Sequence, residues 1–424
     1  MPNHRNRSLR HVRGQTVIRT TVSVVRRGAT RAGQVAAMIL ALVVAAAWTS
    51  RTAAAPPDDM ALTLMQMRTL TDVMGHVQRD YVDDTADAAL LEDAIRGMLS
   101  GLDRHTVYLD ADQYRRLESD SQGRYGGIGI EVDWREGELA VVAVTEEGPA
   151  ARAGIVRGDI IREVEGIPIT KAGPRTALER VRGPADTKVT ITVGREGQAD
   201  RRMTLRREVI RIIAVHGELL DGGLAYLKIG NFQTGTAGRV ADTLAELEAS
   251  HGAPLGGLIL DLRGNPGGVL SAAVGVSDLF LSRGDIVSTR GRDGADLATY
   301  QSDADDALDG APIVLLLDKV SASASEIVAG ALKDHGRATL LGEKSFGKGS
   351  VQTVLPLRNG GAIKLTTARY YTPSGVSIHG TGIEPHIAME SKPGPDGIDR
   401  ALLEATKLLR QSDFAGQPAG ADSN

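Results

Sequence analysis

The sequence predicts an α/β protein with a layered α/β core. A small domain, a partly open β-barrel, is inserted into this fold, and a helical region precedes both. Residues 208–395 alternate apolar strand-like runs with helical runs, an order typical of layered folds with parallel strands. Residues 119–207 are rich in glycine and in short alternating strands. Residues 56–118 repeat apolar side chains at spacings of three and four, as helices do. An N-terminal segment at 1–55 and a C-terminal helix and tail at 396–424 complete the predicted organisation.

The N-terminal segment is typical of export. Residues 1–34 contain many arginines and no acidic residue, and the 14 residues from Val35 to Trp48 are all apolar. This run is shorter than the ~20 residues of a membrane-spanning helix but fits the apolar region of a signal peptide. We expect a cleaved signal peptide, with an uncleaved N-terminal membrane anchor as the alternative. Either reading predicts an extracytoplasmic protein, in the periplasm or at the outer face of the inner membrane.

Composition excludes several classes of function. The 424 residues carry a net charge of −4, which gives no overall attraction to nucleic acid. The chain has no cysteine, so disulfides, thiolate metal sites and a cysteine nucleophile are excluded. Apolar residues make up 42% of the chain, enough to fill the cores of two or three domains.

The inserted domain begins with the glycine-rich loop Gly127-Ile128-Gly129-Ile130. Further along come a Pro-Ala…Ala-Gly…Gly-Asp-Ile-Ile run at 149–161 and an alternating Val-Thr-Ile-Thr-Val strand. In this order the features resemble a PDZ domain, which captures a peptide's C-terminal carboxylate on backbone N–H groups and adds the peptide as an extra strand. The resemblance implies that the loop at 127–130 binds peptide C-termini. The alternative is that its glycines serve only a tight turn.

Three polar loops follow apolar runs of the core, where α/β folds tend to place active sites. The first loop, at 261–268, is glycine-rich and precedes a helix, so its N–H groups could stabilise an oxyanion or could simply make a turn. The second loop holds Ser321, Ser323 and Ser325 at the start of a helix. Ser323 with Glu326 also fits a helix capping box, and the residues alone leave the choice of a nucleophile open.

The third loop places Lys348 between two glycines. A free lysine, with a pKa of about 10.4, is protonated at neutral pH, and burial against apolar groups favours the neutral amine that a general base requires. Gln352 lies four residues further on, so an extended backbone puts both side chains on one face, where Gln352 could hydrogen-bond the amine. The alternative for an isolated lysine is a solvated surface position.

Together the loops resemble the carboxyl-terminal processing peptidases, also called tail-specific proteases. The resemblance extends over most of residues 60–410 and includes Leu-Asp-Arg-His-Thr at 102–106, where Arg104 stands in place of the family's usual proline. In that family the nucleophile precedes the lysine by 25 residues, which selects Ser323 and Lys348. By the same resemblance Gln352 is the third catalytic member. The implied oxyanion donors are the N–H groups of Ala324 and of Gly267 or Gly268.

The resemblance implies a serine endopeptidase that binds protein C-terminal tails through its PDZ domain and cleaves peptide bonds with a Ser–Lys dyad. It implies no metal or cofactor, and its partners are protein or peptide substrates; a homo-oligomer is left open. The sequence leaves two alternatives. One is a non-catalytic PDZ scaffold, which has no need of the serine, lysine and glutamine set. The other is a histidine-dependent protease using His335, while His105 is expected to play a structural role in its loop.

Overall fold

The computed structural model describes residues 63–135, 137–391, 394 and 396–415. The chain separates into two compact units at Asp87. The first unit contains helix α1 (Leu64–Asp80), which begins with a capping box between Thr63 and Gln66. The predicted signal peptide or anchor at 1–55 lies outside the described residues. Within the described ranges no helix is long and apolar enough to span a membrane.

The second unit begins within helix α2 (Asp87–Ser100) and leads into the inserted domain. The elements up to the end of that domain are β1 (Val107–Leu109), α3 (Ala111–Ser121), β2 (Arg124–Gly127), β3 (Ile130–Arg135), β4 (Glu138–Val144), α4 (Pro149–Arg152), β5 (Ile160–Val164), β6 (Ile167–Pro168), α5 (Ile169–Ala172), α6 (Pro174–Val181), β7 (Lys188–Gly194), β8 (Arg201–Arg206) and β9 (Glu208–Arg211). Strands β3-β4-β5-β7-β8 form one sheet, with β6 paired to β5. This sheet and its short helices enclose their own apolar core.

Strands β2 and β9 pair antiparallel outside that sheet, so the chain enters and leaves the inserted domain along a two-stranded ribbon. Gly127 is the register partner of Glu208 at one end of the ribbon, and Arg124 is the partner of Arg211 at the other.

The core follows the predicted alternation of strands and helices. Its elements are β10 (Val215–Leu220), β11 (Leu224–Ile229), α7 (Thr236–His251), β12 (Gly257–Asp261), α8 (Leu270–Asp278), β13 (Gly284–Arg290), β14 (Asp296–Ser302), β15 (Ile313–Leu317), α9 (Ala324–Asp334), β16 (Ala338–Gly342), β17 (Ser350–Pro356), β18 (Ala362–Tyr371), β19 (Ile387–Ala388) and α10 (Arg400–Ala415). A six-stranded sheet has the order β10-β11-β12-β15-β16-β19, and every pairing from β11 onward is parallel.

Side chains alternate across this central sheet, so each face has its own core. Leu258 and Leu260 belong to the cluster that packs under α7, α8 and α9. Ile259 belongs to the cluster that packs against Ala405 and Leu409 of α10, on the other face. The predicted layered α/β fold is therefore present. Helix α10 lies within the predicted C-terminal segment at 396–424 and ends at Ala415.

A second, antiparallel sheet was not foreseen from the sequence. Strand β18 pairs with β1, β13 and β17, and β14 completes the five strands. This sheet carries Gln352 on β17.

Candidate active site

The three loops singled out in the sequence follow β12, β15 and β16, which are adjacent parallel strands of the central sheet. Because the carboxyl ends of parallel strands meet at one edge, the loops converge there. They border a cavity of about 610 Å³, lined by side chains that include Ser323, Lys348 and Gln352. Helix α3 and strand β18 supply further walls. The three predicted catalytic residues thus share one cavity.

The three serines of the second loop differ in what their hydroxyls do. Ser321 is fully buried, and its Oγ donates to the carbonyl oxygen of Leu262 at 2.9 Å. Ser325 is fully buried, and its Oγ donates to the carbonyl oxygen of Asn265 at 3.0 Å. Ser323 is half-buried and is the one of the three that lines the cavity. Its neighbours hold the loop in place, while its own side chain faces the space a substrate would occupy.

The backbone of Ser323 is strained. Its φ of 56° and ψ of −111° lie outside the regions that residues with a Cβ prefer. Such a conformation costs about 1–3 kcal/mol and persists only where the surroundings impose it, commonly at functional sites. A sharp, strained turn from strand to helix also presents the nucleophilic serine of other hydrolases. The strain therefore marks Ser323 among the three serines.

The carboxylate of Glu326 imposes part of this geometry. It is fully buried in the first turn of α9 and accepts hydrogen bonds from the backbone N–H of Ser323 at 2.7 Å and from that of Lys348 at 2.9 Å. It also accepts from the Gly347 N–H and the Ser345 hydroxyl, each at 2.6 Å. The Glu326 half of the predicted capping box is present, and the same carboxylate also fixes the lysine loop. Sequence reasoning missed this second role because those partners lie 19 to 22 residues away along the chain.

Two backbone N–H groups beside Ser323 are free to stabilise an oxyanion. The N–H groups of Ala324 and Gly268 donate to no protein acceptor among the described residues. The Gly267 N–H, the other donor considered, is engaged by the side-chain oxygen of Asn265 at 2.9 Å. A Cβ on Gly267 would lie 2.8 Å from that of Ser323, so only glycine lets the first loop pack this closely on the second. The geometry therefore favours Ala324 with Gly268.

Lys348 is half-buried at the cavity wall, close to other cationic groups. Lys364 of β18 lines the same cavity, and burial together with the charge of Lys348 lowers the pKa of Lys364. Burial, and after it the charge of Lys348, also lowers the pKa of His105. Within the described residues the Lys348 ammonium makes no hydrogen bond or ion pair. Ser323 and Lys348 are therefore in one cavity without being hydrogen-bonded, as is common for catalytic pairs before substrate binds.

Gln352 does not make its predicted hydrogen bond to Lys348. Its Nε2 donates instead to the hydroxyls of Thr366 at 2.8 Å and Ser350 at 3.2 Å. Its Oε1 is buried and has no hydrogen-bond partner among the described residues. The amide is therefore anchored at its nitrogen end, with an unused acceptor.

The predicted peptide-binding loop contributes backbone rather than side chains. Gly127, Ile128, Gly129 and Ile130 are all buried, and both isoleucines belong to the core of the inserted domain. The N–H groups of Ile128 and Gly129 have no acceptor among the described residues. Strand β3, which follows the loop, pairs with β4, and its other edge is open among the strands that the structure describes. The open edge and the free N–H groups are the features that addition of a peptide strand requires.

The histidine alternative has no geometric support. His335 lies just beyond the far end of α9 from Ser323, about 18 Å away at 1.5 Å per helical residue. Its Nε2 is 2.7 Å from the carbonyl oxygen of Asp285. His105 sits in a loop fixed by Asp103, which accepts the His105 backbone N–H at 2.7 Å.

Known proteins resemble both parts of the chain. The model of peptidase family S41 matches residues 223–389, and a PDZ-domain model matches residues 141–195. A carboxy-terminal-processing protease of Bartonella bacilliformis is 42% identical over 349 residues, which cover 81% of this chain and 80% of that protein. The carboxy-terminal processing protease CtpA of Bacillus subtilis is 32% identical over 339 residues, covering 80% and 71% of the two chains. The solved photosystem II D1 C-terminal processing protease is 29% identical, with a TM-score of 0.48 over 80% of this chain and 97% of its own.

Proposed function

Because this chain belongs to the carboxy-terminal processing proteases of peptidase family S41, we propose that it is a serine endopeptidase that uses a Ser323–Lys348 dyad on proteins held by their C-terminal tails. The family resemblance read from the motifs is confirmed by these matches, as is the PDZ domain. The observation that carries the dyad is the shared cavity, in which strained Ser323 and half-buried Lys348 face the same space.

The geometry supports a simple sequence of steps. The neutral amine of Lys348 takes the Ser323 hydroxyl proton while Oγ attacks the peptide carbonyl carbon. The negative charge that develops on the carbonyl oxygen is stabilised by the N–H groups of Ala324 and Gly268. Lys348 then gives its proton to the leaving amine and afterwards removes one from the water that hydrolyses the acyl-enzyme. Gln352 orients the amine through its free Oε1.

A pH profile tests the dyad. We expect kcat/KM for a short peptide to rise with pH, because the proposed general base acts in its neutral form and this parameter reports ionisations of the free enzyme. Ser323→Ala and Lys348→Ala should each abolish turnover with the fold intact, and Lys348→His should not restore it. Lys344→Ala removes an exposed lysine of the same loop, paired with Glu384, and serves as the matched control. Near-normal turnover by Ser323→Ala, or a profile unchanged in Lys348→Ala, would refute the assignment.

The PDZ domain is the tail-binding part of this proposal. Its free loop N–H groups and the open edge of β3 would hold a substrate's terminal carboxylate and last residues as an added strand. We also place the protein outside the cytoplasm, because of the apolar run at 35–48. Fractionation of cells that express the full chain tests this location, and recovery in the cytoplasm would contradict it.

A further inference from the structure

The side chain of Gln352 is anchored in an unusual way for a catalytic amide. Both hydrogens of its Nε2 point at hydroxyl oxygens, whereas its Oε1 is buried without a donor. A buried acceptor without a partner is costly and therefore rare. The Lys348 amine, which carries donors, lines the same cavity and could satisfy this acceptor. The orientation of the Gln352 amide therefore determines whether its oxygen or its NH₂ group faces Lys348.

Thr366 is directly opposite Gln352, next to a β-bulge. In the β17–β18 ladder, Val351 pairs with Ala368 but Gln352 pairs with Thr366, which leaves Thr367 as an extra residue. Bulges next to active sites commonly re-aim side chains. At this position the Thr366 hydroxyl gives the amide nitrogen its shorter hydrogen bond, at 2.8 Å.

Hydroxyl groups can donate or accept, so Thr366 alone does not fix the direction of the amide. Its Oγ1 lies 3.4 Å from that of Thr106, which is 1% exposed, and its backbone N–H donates to the Thr106 Oγ1 at 3.2 Å. Thr106 donates its own hydroxyl hydrogen to Asp103 at 2.8 Å. Thr106 has a single hydroxyl hydrogen, within reach of Thr366 at 3.4 Å and of Asp103 at 2.8 Å, and the closer carboxylate, which only accepts, takes it. Thr106 is then an acceptor toward Thr366, whose oxygen accepts from the Gln352 amide nitrogen.

The end of this chain is an ionised carboxylate. Burial would raise the pKa of Asp103, but the hydrogen bonds from the His105 N–H and from Thr106 lower it below its usual range. Asp103 and Thr106 lie in the loop between α2 and β1, outside both the nucleophile loop and the lysine loop. The negative charge of Asp103 therefore acts on the Gln352 amide from an element of the fold that is separate from both of these loops.

Resting on the dyad proposed above, we propose that Asp103, Thr106 and Thr366 form a one-directional hydrogen-bond chain that holds the Gln352 amide with its oxygen toward Lys348. These three are positioning residues: none of them is among the residues that line the described cavity, and each acts through Gln352. This hydrogen-bond chain gives the loop before the PDZ domain a positioning role in the proposed catalysis.

The first test compares Thr366→Val with Thr366→Ser. Valine has the shape of threonine but no hydroxyl, so the amide loses the acceptor that fixes it. We expect kcat to fall about tenfold, the equivalent of one typical hydrogen bond, with KM within about twofold of wild type. Thr366→Ser keeps the hydroxyl and should retain activity. Thr367→Val is the matched control, because Thr367 is the adjacent, exposed residue and its hydroxyl contacts that of Thr353.

A double-mutant cycle separates positioning from a structural role. If Thr366 acts only through the amide, Thr366→Val should not slow Gln352→Ala any further. An equal loss in both backgrounds would mean a structural role and would overturn the proposal. Wild-type activity of Thr366→Val beside an impaired Gln352→Ala would also overturn it while leaving the proposed function intact. An unimpaired Gln352→Ala would refute both the catalytic part of Gln352 and this chain, but not the dyad.

Asp103→Asn provides an independent test, which also applies if Thr366→Val fails to fold. The amide oxygen of asparagine can still accept hydrogen bonds from the backbone N–H groups of His105 and Thr106, so its NH₂ group then faces the Thr106 hydroxyl. Thr106 would donate to Thr366, and the Gln352 amide would turn over. We expect a loss of kcat like that of Thr366→Val, no added loss when the two are combined, and no effect in Gln352→Ala. Wild-type kcat in Asp103→Asn would contradict the one-directional chain.

Discussion

The carboxylate of Glu326 joins the two loops that carry Ser323 and Lys348. Its four hydrogen bonds come from both loops, and one of its oxygens accepts from the backbone N–H groups of both residues. It also lies at the N-terminus of α9, where the helix dipole favours negative charge. A buried anion with several charge-assisted hydrogen bonds holds both loops in register without occupying the cavity.

Glu326→Gln tests this role. The amide has nearly the same shape, but its NH₂ end must face N–H donors, so we expect the loops to separate and kcat to fall at least about 100-fold. Stability should fall by about 1–3 kcal/mol for each donor left unpaired. Steady-state kinetics and urea unfolding give the two measurements. Glu343→Gln is the control, because that carboxylate lies near the lysine loop but pairs with exposed Lys319. Unchanged kcat in Glu326→Gln would contradict the role.

His105 makes the free energy of unfolding depend on pH. Its pKa is lowered by burial and then by the charges of Lys348 and Arg104, so the unfolded chain takes up the proton at a higher pH than the folded protein does. Stability therefore falls as pH decreases from the unfolded value of about 6.5 toward the lower folded value. We expect His105→Asn to lose less stability than wild type between pH 7.5 and pH 5, by urea unfolding at both pH values. Equal losses would show that His105 does not contribute.

At the level of elements, a buried ion network attaches helix α10 to the first loop of the site. Arg263, with 10% of its side chain exposed, contacts fully buried Asp261 at 2.7 Å and Asp399 at 2.9 Å. Tyr226 also donates to Asp261, at 2.8 Å. Burial would lower the pKa of Arg263, but the hydrogen bonds to the two aspartates raise it. The helix is thus held by its apolar face and by this guanidinium.

Arg263→Ala should therefore destabilise the core. It leaves the buried carboxylate of Asp261 with the more distant ammonium of Lys228, 3.8 Å away, in place of the guanidinium. Loss of one partner of a buried ion pair costs about 3–5 kcal/mol in comparable cases. Arg263→Lys keeps the charge but not the forked geometry, so we expect a smaller loss. Chemical unfolding measures both, with Lys344→Ala as a surface ion-pair control expected within about 1 kcal/mol of wild type. A loss below about 1 kcal/mol in Arg263→Ala would contradict this account.

The elements differ in how far the sequence determines them. Apolar runs such as Leu224–Ile229 give buried parallel strands, because both faces of the central sheet are covered. Strands β17 and β18 carry mixed polar and apolar residues, and their bulge depends on pairing partners that periodicity does not reveal. The same holds within the site: motif spacing could select Ser323 and Lys348. The contacts of Glu326 and Asp103 with distant loops required the fold.

At the scale of the whole molecule, the inserted domain has a core of its own and joins the rest through the β2–β9 ribbon. Directly opposite residues of an antiparallel pair have Cα atoms only about 4.5–5.5 Å apart. Gly127 and Glu208 are such a pair, so a two-residue Asn-Gly turn could close the ribbon in place of residues 128–207. The geometry therefore allows the PDZ domain to be removed without displacing the residues of the active site.

The excised protein allows a direct test of tail reading. We expect it to fold, because the central sheet, the antiparallel sheet and their clusters lie outside 128–207. The full chain should cleave a free-acid peptide faster than its C-terminally amidated form, since amidation removes the carboxylate that the 127–130 loop is proposed to bind. The excised protein should cleave both peptides at equal rates, and Ser323→Ala should abolish cleavage in the full chain and in the excised protein.

A substitution in the full chain tests the same loop without a deletion. Gly129→Ala should weaken the preference for the free-acid peptide, because Gly129 has a φ of +75° that alanine adopts only with strain. Equal rates for the two peptides in the full chain, or a preference that survives excision, would show that this loop does not read the carboxylate.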